Sequence, residues 1–98
     1  MIELEPRYLK LVRELLARHL GEAEVFAFGS RVMGRSRRYS DLDLVVRAKG
    51  ALDLDRLGEL RAAFSESDLP IKVDVLDWAG IDDSFRKQIA GNLVPLYP

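Results

Sequence analysis

The sequence VFAFGS at residues 25–30 and the sequence DLDLVV at residues 41–46 decide how this 98-residue chain folds. The first is a short apolar run that ends in glycine, which predicts a buried strand followed by a turn. The second opens with two acids and continues as an apolar run, which predicts a second strand. Between them, residues 30–33 could start a short helix, and residues 35–40 are polar and arginine-rich, as is typical of a loop.

The two acids at the start of the second segment have a defined geometry if that segment is a strand. Alternate strand residues point the same way, so Asp41 and Asp43 would share one side, about 6.6 Å apart along the strand. Like charges held on one side repel each other, and a divalent metal ion is the natural group to lie between them. The Gly29-Ser30 turn beside such an ion could hold phosphate oxygens. The segment therefore predicts phosphate chemistry.

A third acid belongs to the same pattern. Residues 71–76 predict another strand, in which the odd positions are all apolar and Asp74 lies on the other face. If this strand neighbours the one at 42–46, Asp41, Asp43 and Asp74 can converge. Carboxylate clusters suit Mg²⁺, and two such ions ~3.5–4 Å apart can clamp a displacement at phosphorus. Asp77 is a weaker candidate because it has the opposite parity.

Composition limits the classes of function. The chain has 48% hydrophobic residues, 15 Lys plus Arg, 16 Asp plus Glu and a formal net charge of −1, which gives no support to generic nucleic-acid or membrane binding. It has no cysteine, so disulfide scaffolds and thiolate metal sites are excluded. The acidic N-terminal residues match neither a signal peptide nor a membrane span. Cytoplasmic residence is compatible with these features, and we expect it.

The remaining pattern predicts helices around these strands. Helical spacing predicts a first helix from Pro6 to Gly21, a second helix capped by Asp53, and a third helix over residues 83–90. The two prolines of residues 93–98 exclude a continuation of the third helix. The predicted fold class is α/β (α+β), a single domain over residues 1–98 with a small mixed β-sheet and helices packed on one face. Three strands are close to the minimum for stability, so some apolar surface could serve a partner or a second copy.

Each piece also has a simpler interpretation. Asp-x-Asp is common at exposed strand starts, Gly-Ser is usually an ordinary turn, and a single strand acid is often a surface residue. Their joint occurrence in this order favours function. Arg31, Arg35, Arg37 and Arg38 could capture a triphosphate or dock an acidic partner, or could lie in a solvated loop. Arg31, next to Ser30, is the strongest candidate for the rim of a phosphate site.

These residues resemble the DNA polymerase beta-like nucleotidyltransferase superfamily. Its signature is an apolar strand, Gly-Ser, a spacer of about this length, Asp-x-Asp, and a third carboxylate on a later strand. The matching sequences are VFAFGSR at 25–31, DLDL at 41–44 and KVDV at 72–75, together with GSRVMG at 29–34 and YSD at 39–41. The resemblance implies a minimal polymerase beta-like palm fold and Mg²⁺-dependent nucleotidyl transfer.

The resemblance also implies roles for individual residues. Asp41 and Asp43 would bind two Mg²⁺ ions, and Asp74 would complete one metal site and act as general base toward the attacking hydroxyl. Gly29 would let the backbone approach the triphosphate of ATP, and Ser30 would donate its hydroxyl and N–H to the β- and γ-phosphates. A short helix after Ser30 would present its positive end to the same charge.

The short length narrows the resemblance to the minimal nucleotidyltransferases. In that group, members act as antitoxins that transfer AMP from ATP to a tyrosine hydroxyl of a HEPN-domain RNase toxin. Two alternatives stay open: a non-catalytic subunit that neutralises a partner by direct contact, and a nucleotidyltransferase that acts on RNA or on a small molecule such as an aminoglycoside. The absence of an acceptor-binding segment in the sequence argues against free-standing action on RNA.

Overall fold

The computed structural model describes residues 2–98 and contains a four-stranded mixed sheet with three α-helices. The elements run in chain order as α1 (Pro6–Leu20), β1 (Glu24–Phe28), β2 (Leu42–Arg47), α2 (Leu54–Ser65), β3 (Val73–Asp77), a single 3₁₀ turn (Trp78–Gly80), α3 (Asp83–Ala90) and β4 (Val94–Tyr97). Within residues 2–98, no helix combines the length and the apolar character needed to cross a bilayer.

The strand order is β3-β2-β1-β4, so β2 and β1 are the inner strands. β1 pairs antiparallel with both β2 and β4, whereas β2 and β3 are parallel. A parallel pair needs a crossover connection, and α2 supplies it. The predicted mixed sheet is thereby confirmed, with β3 beside β2 as the convergence of the acids requires.

One face of the sheet carries the main core. Helix α1 begins at Pro6, ends before Gly21 with its φ of 60°, and buries an apolar stripe against this face. Asp53 caps α2 by accepting a hydrogen bond from the backbone N–H of Asp55 at 2.9 Å. The fully buried residues of this core include Val12, Leu16, Leu44, Val46 and Leu60.

The opposite face carries a smaller cluster. Because side chains alternate along β2, Val45 points away from the main core. It is fully buried on that opposite face, in a cluster with the largely buried Phe28 and Ile89. The rings of Phe28 and Phe85 meet edge to face with centroids 6.0 Å apart. Helix α3 therefore packs on the side opposite α1 and α2, whereas the sequence predicted helices on one face.

Two other details differ from the prediction. Residues 30–34 form successive hydrogen-bonded turns rather than a short helix, because Gly34, at a φ of 72°, reverses the chain after one turn. The tail forms β4 at the edge of the sheet beside β1. Pro95 lies within β4, and an edge strand tolerates proline since only one of its sides must pair.

Candidate active site

Asp43 and Asp74 lie side by side at the centre of the site. They are register partners on the parallel strands β2 and β3, and both point to the face that carries the smaller cluster. Both side chains are half-buried. Burial, followed by the negative charges of Asp74 and Asp41, raises the pKa of Asp43. The site therefore concentrates negative charge where the sequence predicted it.

A lysine partly offsets this charge. The Lys72 ammonium lies 3.3 Å from Oδ1 of Asp74 in an ion pair that is open to solvent, with the lysine exposed and the acid half-buried. The same ammonium acts on Asp43 in the opposite direction to the acids and lowers its pKa, as the weakest of the four influences. An exposed pair of this kind is worth little in stability. Lys72 therefore leaves the net repulsion among the acids in place.

Gly29 brings the turn after β1 against Asp43. Its φ is 80°, and a Cβ placed there would lie 2.5 Å from Oδ2 of Asp43. Only glycine fits both the left-handed backbone and this close approach. The turn continues with the N–H of Val32 donating to the Gly29 carbonyl at 3.1 Å, and with the N–H groups of Met33 and Arg35 donating to that of Ser30 at 3.3 and 3.1 Å. The Gly-Ser turn and the Asp43 carboxylate thus form one surface.

Arg31 is placed differently from the prediction. It is 6% exposed, and its guanidinium donates to backbone carbonyls of residues 3, 37, 38 and 40. A side chain held in this way points into the loop rather than toward the rim beside Ser30. The prediction that Arg31 binds phosphate therefore finds no support in the geometry. The sequence could not indicate this because the contact with Glu3 spans 28 positions.

The three acids are brought together only in part. Asp41 directly precedes β2 and is exposed, whereas Asp43 and Asp74 adjoin. Within the described residues 2–98, no group of three or more acid, histidine or cysteine side chains is arranged so that it could hold a metal ion as it stands. The donor set nevertheless fits Mg²⁺, because carboxylates are its preferred protein ligands and their mutual repulsion at Asp43 favours a cation.

Asp77 has a structural role. One carboxylate oxygen accepts a hydrogen bond from the N–H of Leu52 at 2.9 Å, and the other accepts from the N–H of Ala79 at 3.2 Å. It thereby joins the loop before α2 to the 3₁₀ turn. Its weaker standing in the sequence, which followed from strand parity, agrees with this placement.

A groove of about 720 Å³ runs beside the acids and around the outer strand β3. On the site face it is lined by Asp43, Asp74, Phe28 and Phe85, and on the other side of β3 by residues that include Phe64. The sequence analysis did not identify the two phenylalanines near the acids. Phe28 lies there as the antiparallel register partner of Asp43, and Phe85 lies there because α3 packs on that face. The site is therefore an open groove with a charged centre and apolar walls.

Comparisons with known proteins agree with this geometry. The family model described as polymerase beta, nucleotidyltransferase matches residues 10–98. A relative from Haemophilus influenzae, described as the probable protein adenylyltransferase MntA, is 42% identical over 88 residues, which cover 90% of this chain and 77% of that protein.

Solved structures share the fold. A minimal nucleotidyltransferase is 32% identical, with a TM-score of 0.69 over 92% of this chain and 90% of that one. A toxin–antitoxin structure with AMP-PNP contains a chain that is 25% identical, with a TM-score of 0.74 over 94% of this chain and 73% of that one. The first of these matches almost the full length of both chains, so the likeness extends over the whole fold.

Proposed function

The chain belongs to the polymerase beta nucleotidyltransferase family, and we propose that it transfers AMP from ATP to a hydroxyl group of a partner protein. The partner proposed is a HEPN-domain toxin, which this chain would silence as the antitoxin. The similarity to a probable protein adenylyltransferase over 90% of the chain supports the reaction. The toxin–antitoxin structure with AMP-PNP supports both the nucleotide and the type of partner.

The observation that carries the proposal is the pairing of Asp43 with Asp74 beside Gly29. Two carboxylates in register on neighbouring strands, against a turn without a side chain, place negative ligands next to a backbone that can approach phosphate. Any residue other than glycine at position 29 would place its Cβ against the Asp43 carboxylate. A pair of acids with only a structural role would not need a backbone turn at such close range. This arrangement fits a site that handles a nucleoside triphosphate and its magnesium.

The acids have distinct roles in the proposed reaction. Asp41, Asp43 and Asp74 would hold Mg²⁺, which supplies charge neutralisation for the triphosphate when it is bound. Asp74 would also take the proton from the acceptor hydroxyl. The acceptor oxygen forms a bond to the α-phosphorus, and the bond from that phosphorus to the leaving oxygen breaks, so that pyrophosphate departs. Positioning and charge neutralisation provide most of the rate.

The Gly-Ser turn would hold the triphosphate in this scheme. Gly29 lets the backbone lie against the Asp43 carboxylate, so phosphate oxygens bound at the turn and ions bound at the acids are neighbours. Ser30, at the next position, would donate its hydroxyl to the β- and γ-phosphates. Arg31 has no phosphate contact in the proposal, because its guanidinium is bound to backbone carbonyls.

The direct test uses radiolabelled ATP, Mg²⁺ and the product of the gene that neighbours this one. We expect the partner to become labelled and its RNase activity to fall, with pyrophosphate released in equal amount. The Asp41→Asn, Asp43→Asn double variant should bind the partner but leave it unlabelled and active. If that variant still neutralises the partner, the chain acts by contact alone. Labelling of tRNA or an aminoglycoside without the partner would overturn the choice of acceptor.

A further inference from the structure

Among residues 2–98, Arg31 is the one charged side chain that is buried. Its guanidinium lies beneath the loop that connects β1 to β2, the loop that ends at Asp41. Burial of a charged group is unfavourable unless hydrogen bonds satisfy it. Arg31 has such bonds, and every one of them goes to backbone carbonyls rather than to a carboxylate.

Those carbonyls come from two separate parts of the chain. Nε donates to Ser40 at 3.0 Å, and Nη2 donates to Arg38 at 3.2 Å and to Arg37 at 3.4 Å. Nη1 donates to the carbonyl of Glu3, near the N-terminus. The planar guanidinium thus joins residues 37, 38 and 40, near the end of the loop, to Glu3, which precedes α1.

Glu3 completes the connection from its own side. Its N–H donates to the Arg31 carbonyl at 2.7 Å. Its carboxylate accepts from the N–H of Ser36 at 3.3 Å and from the Ser36 hydroxyl, and these bonds lower the pKa of Glu3. Two reciprocal sets of hydrogen bonds therefore hold the N-terminal segment against the loop.

The held loop leads directly into the site. Arg31 binds the carbonyl of Ser40, which belongs to the peptide unit just before Asp41. In the peptide unit just after Asp41, the N–H of Leu42 donates to the carbonyl of Lys72 at 2.9 Å, where the pairing with β3 begins. Asp41 therefore lies between one peptide fixed by Arg31 and one fixed by the sheet. Its own side chain is exposed, and no hydrogen bond from residues 2–98 fixes it.

We infer that Arg31 is a positioning residue for Asp41, and that Glu3 helps to hold the loop that carries this acid. Arg31 acts through the backbone and does not touch the triphosphate. To reach a phosphate, the guanidinium would have to leave four carbonyls without their donor, which is strongly unfavourable for partly buried groups. The inference goes beyond the proposed acceptor and requires only the nucleotidyl transfer of the family.

The test compares Arg31→Met with Arg13→Met. Arg13 is the matched control, because its guanidinium also donates to a backbone carbonyl, that of Leu96 at 3.2 Å, in a part of the molecule remote from the acids. Hydrogen exchange of the unliganded proteins is measured by mass spectrometry. In Arg31→Met we expect amides 36–42 to exchange roughly tenfold faster or more, while those of β1 and α2 keep their protection. Arg13→Met should leave residues 36–42 unchanged.

Kinetics then separates positioning from phosphate binding. A misplaced Asp41 predicts a kcat for AMP transfer lower by roughly 100-fold, with a KM for ATP within a few-fold of the wild-type value. A residue that binds the triphosphate predicts the reverse, a large rise in KM with unaltered exchange in the loop, and that result would overturn the inference. An equal loss of kcat in Arg13→Met would also overturn the inference, since it would show that the loss comes from a general loss of stability.

A milder variant covers the case in which Arg31→Met does not fold. Glu3→Gln keeps the backbone carbonyl that Arg31 binds but weakens the contact with Ser36, and it changes an exposed side chain. We expect faster exchange at residues 36–40 and a fall in kcat of a few-fold. Unaltered exchange and kcat in this variant would overturn the role of the N-terminal segment. The exchange measurement needs no acceptor, so it stands even if the proposed acceptor is wrong.

Discussion

The two faces of the sheet are formed by the same strands but carry different structures: a large apolar core on one, and the acids with a smaller cluster on the other. On the face toward α1 and α2, Leu42, Leu44 and Val46 of β2 are completely buried in a continuous apolar core. On the other face, β2 presents Asp43 and Val45, one a half-buried acid and the other a valine in a small cluster beneath α3. Strand alternation thus lets β2 contribute to the main core through its even positions, and to the site and the smaller cluster through its odd ones.

The largest effect is expected from replacing Asp43, the acid on the face beneath α3. Asp43→Asn should lower the rate of AMP transfer by more than roughly 100-fold, because it removes a ligand and charge from the reacting centre. The same change should raise the melting temperature at neutral pH when measured in a chelator. Since burial and like charges raise the pKa of Asp43 in the folded state, its ionised form opposes folding.

The sign of the pH dependence follows from the same shift. The folded protein binds the Asp43 proton more tightly than the unfolded chain does, so the wild type gains stability as the pH falls through the raised pKa. The advantage of Asp43→Asn should therefore shrink in acid. Asp68→Asn, at an exposed loop position, is the control and should change neither property. A lower melting temperature for Asp43→Asn at neutral pH would contradict the electrostatic interpretation.

An intermediate effect is expected where the turn meets the acid. Gly29→Ala introduces both left-handed backbone strain, about 1–2 kcal/mol, and a methyl group 2.5 Å from the Asp43 carboxylate. Gly21→Ala carries the strain alone, since its φ is 60° and nothing lies within 4 Å of the new Cβ. In urea denaturation, both variants should lose stability, and Gly29→Ala should lose at least as much as Gly21→Ala. Only Gly29→Ala should lose activity, by roughly tenfold or more, because the acid moves. Equal activity in the two variants would show that the contact is unimportant.

The smallest difference is expected between two neighbouring valines. Val45 and Val46 are both completely buried, but on opposite faces. Truncation of either to alanine should cost roughly 1–3 kcal/mol. Val46→Ala should be the more damaging by about 1 kcal/mol, because the main core relaxes less around a cavity than the eight-residue helix α3 does. Chemical denaturation decides the order, and equal values would mean that the two faces are equally rigid.

The local patterns were sufficient for most elements and for the pairing of the acids. Helix α3 has the bounds that the helical spacing predicted, and α1 begins at Pro6 and ends just before Gly21 as expected. The parity of Asp74 placed it on the face of Asp43, and the parallel pairing put the two in register. These features depend on side-chain period and end signals, which are local properties of a sequence.

The features that the sequence did not predict depend on contacts between distant residues. Strand β4 was missed because Pro95 argues against a strand until its place at the sheet edge is known. The placement of Arg31 could not be predicted because its neighbours in sequence suggest phosphate, whereas its partners include the carbonyl of Glu3. The position of α3 depends on which face of the sheet remains uncovered, and no period in its own sequence records that.

The place of Asp74 on the outermost strand has a consequence for the choice of acceptor. No further strand of the described chain flanks β3, and the groove beside the acids continues around that edge. A molecule of any size can therefore approach the acid from the side without entering an enclosed chamber. Such a site cannot exclude acceptors by their size. Selection of the correct acceptor must therefore depend on contacts with the surface of a large acceptor, well outside the few atoms that react.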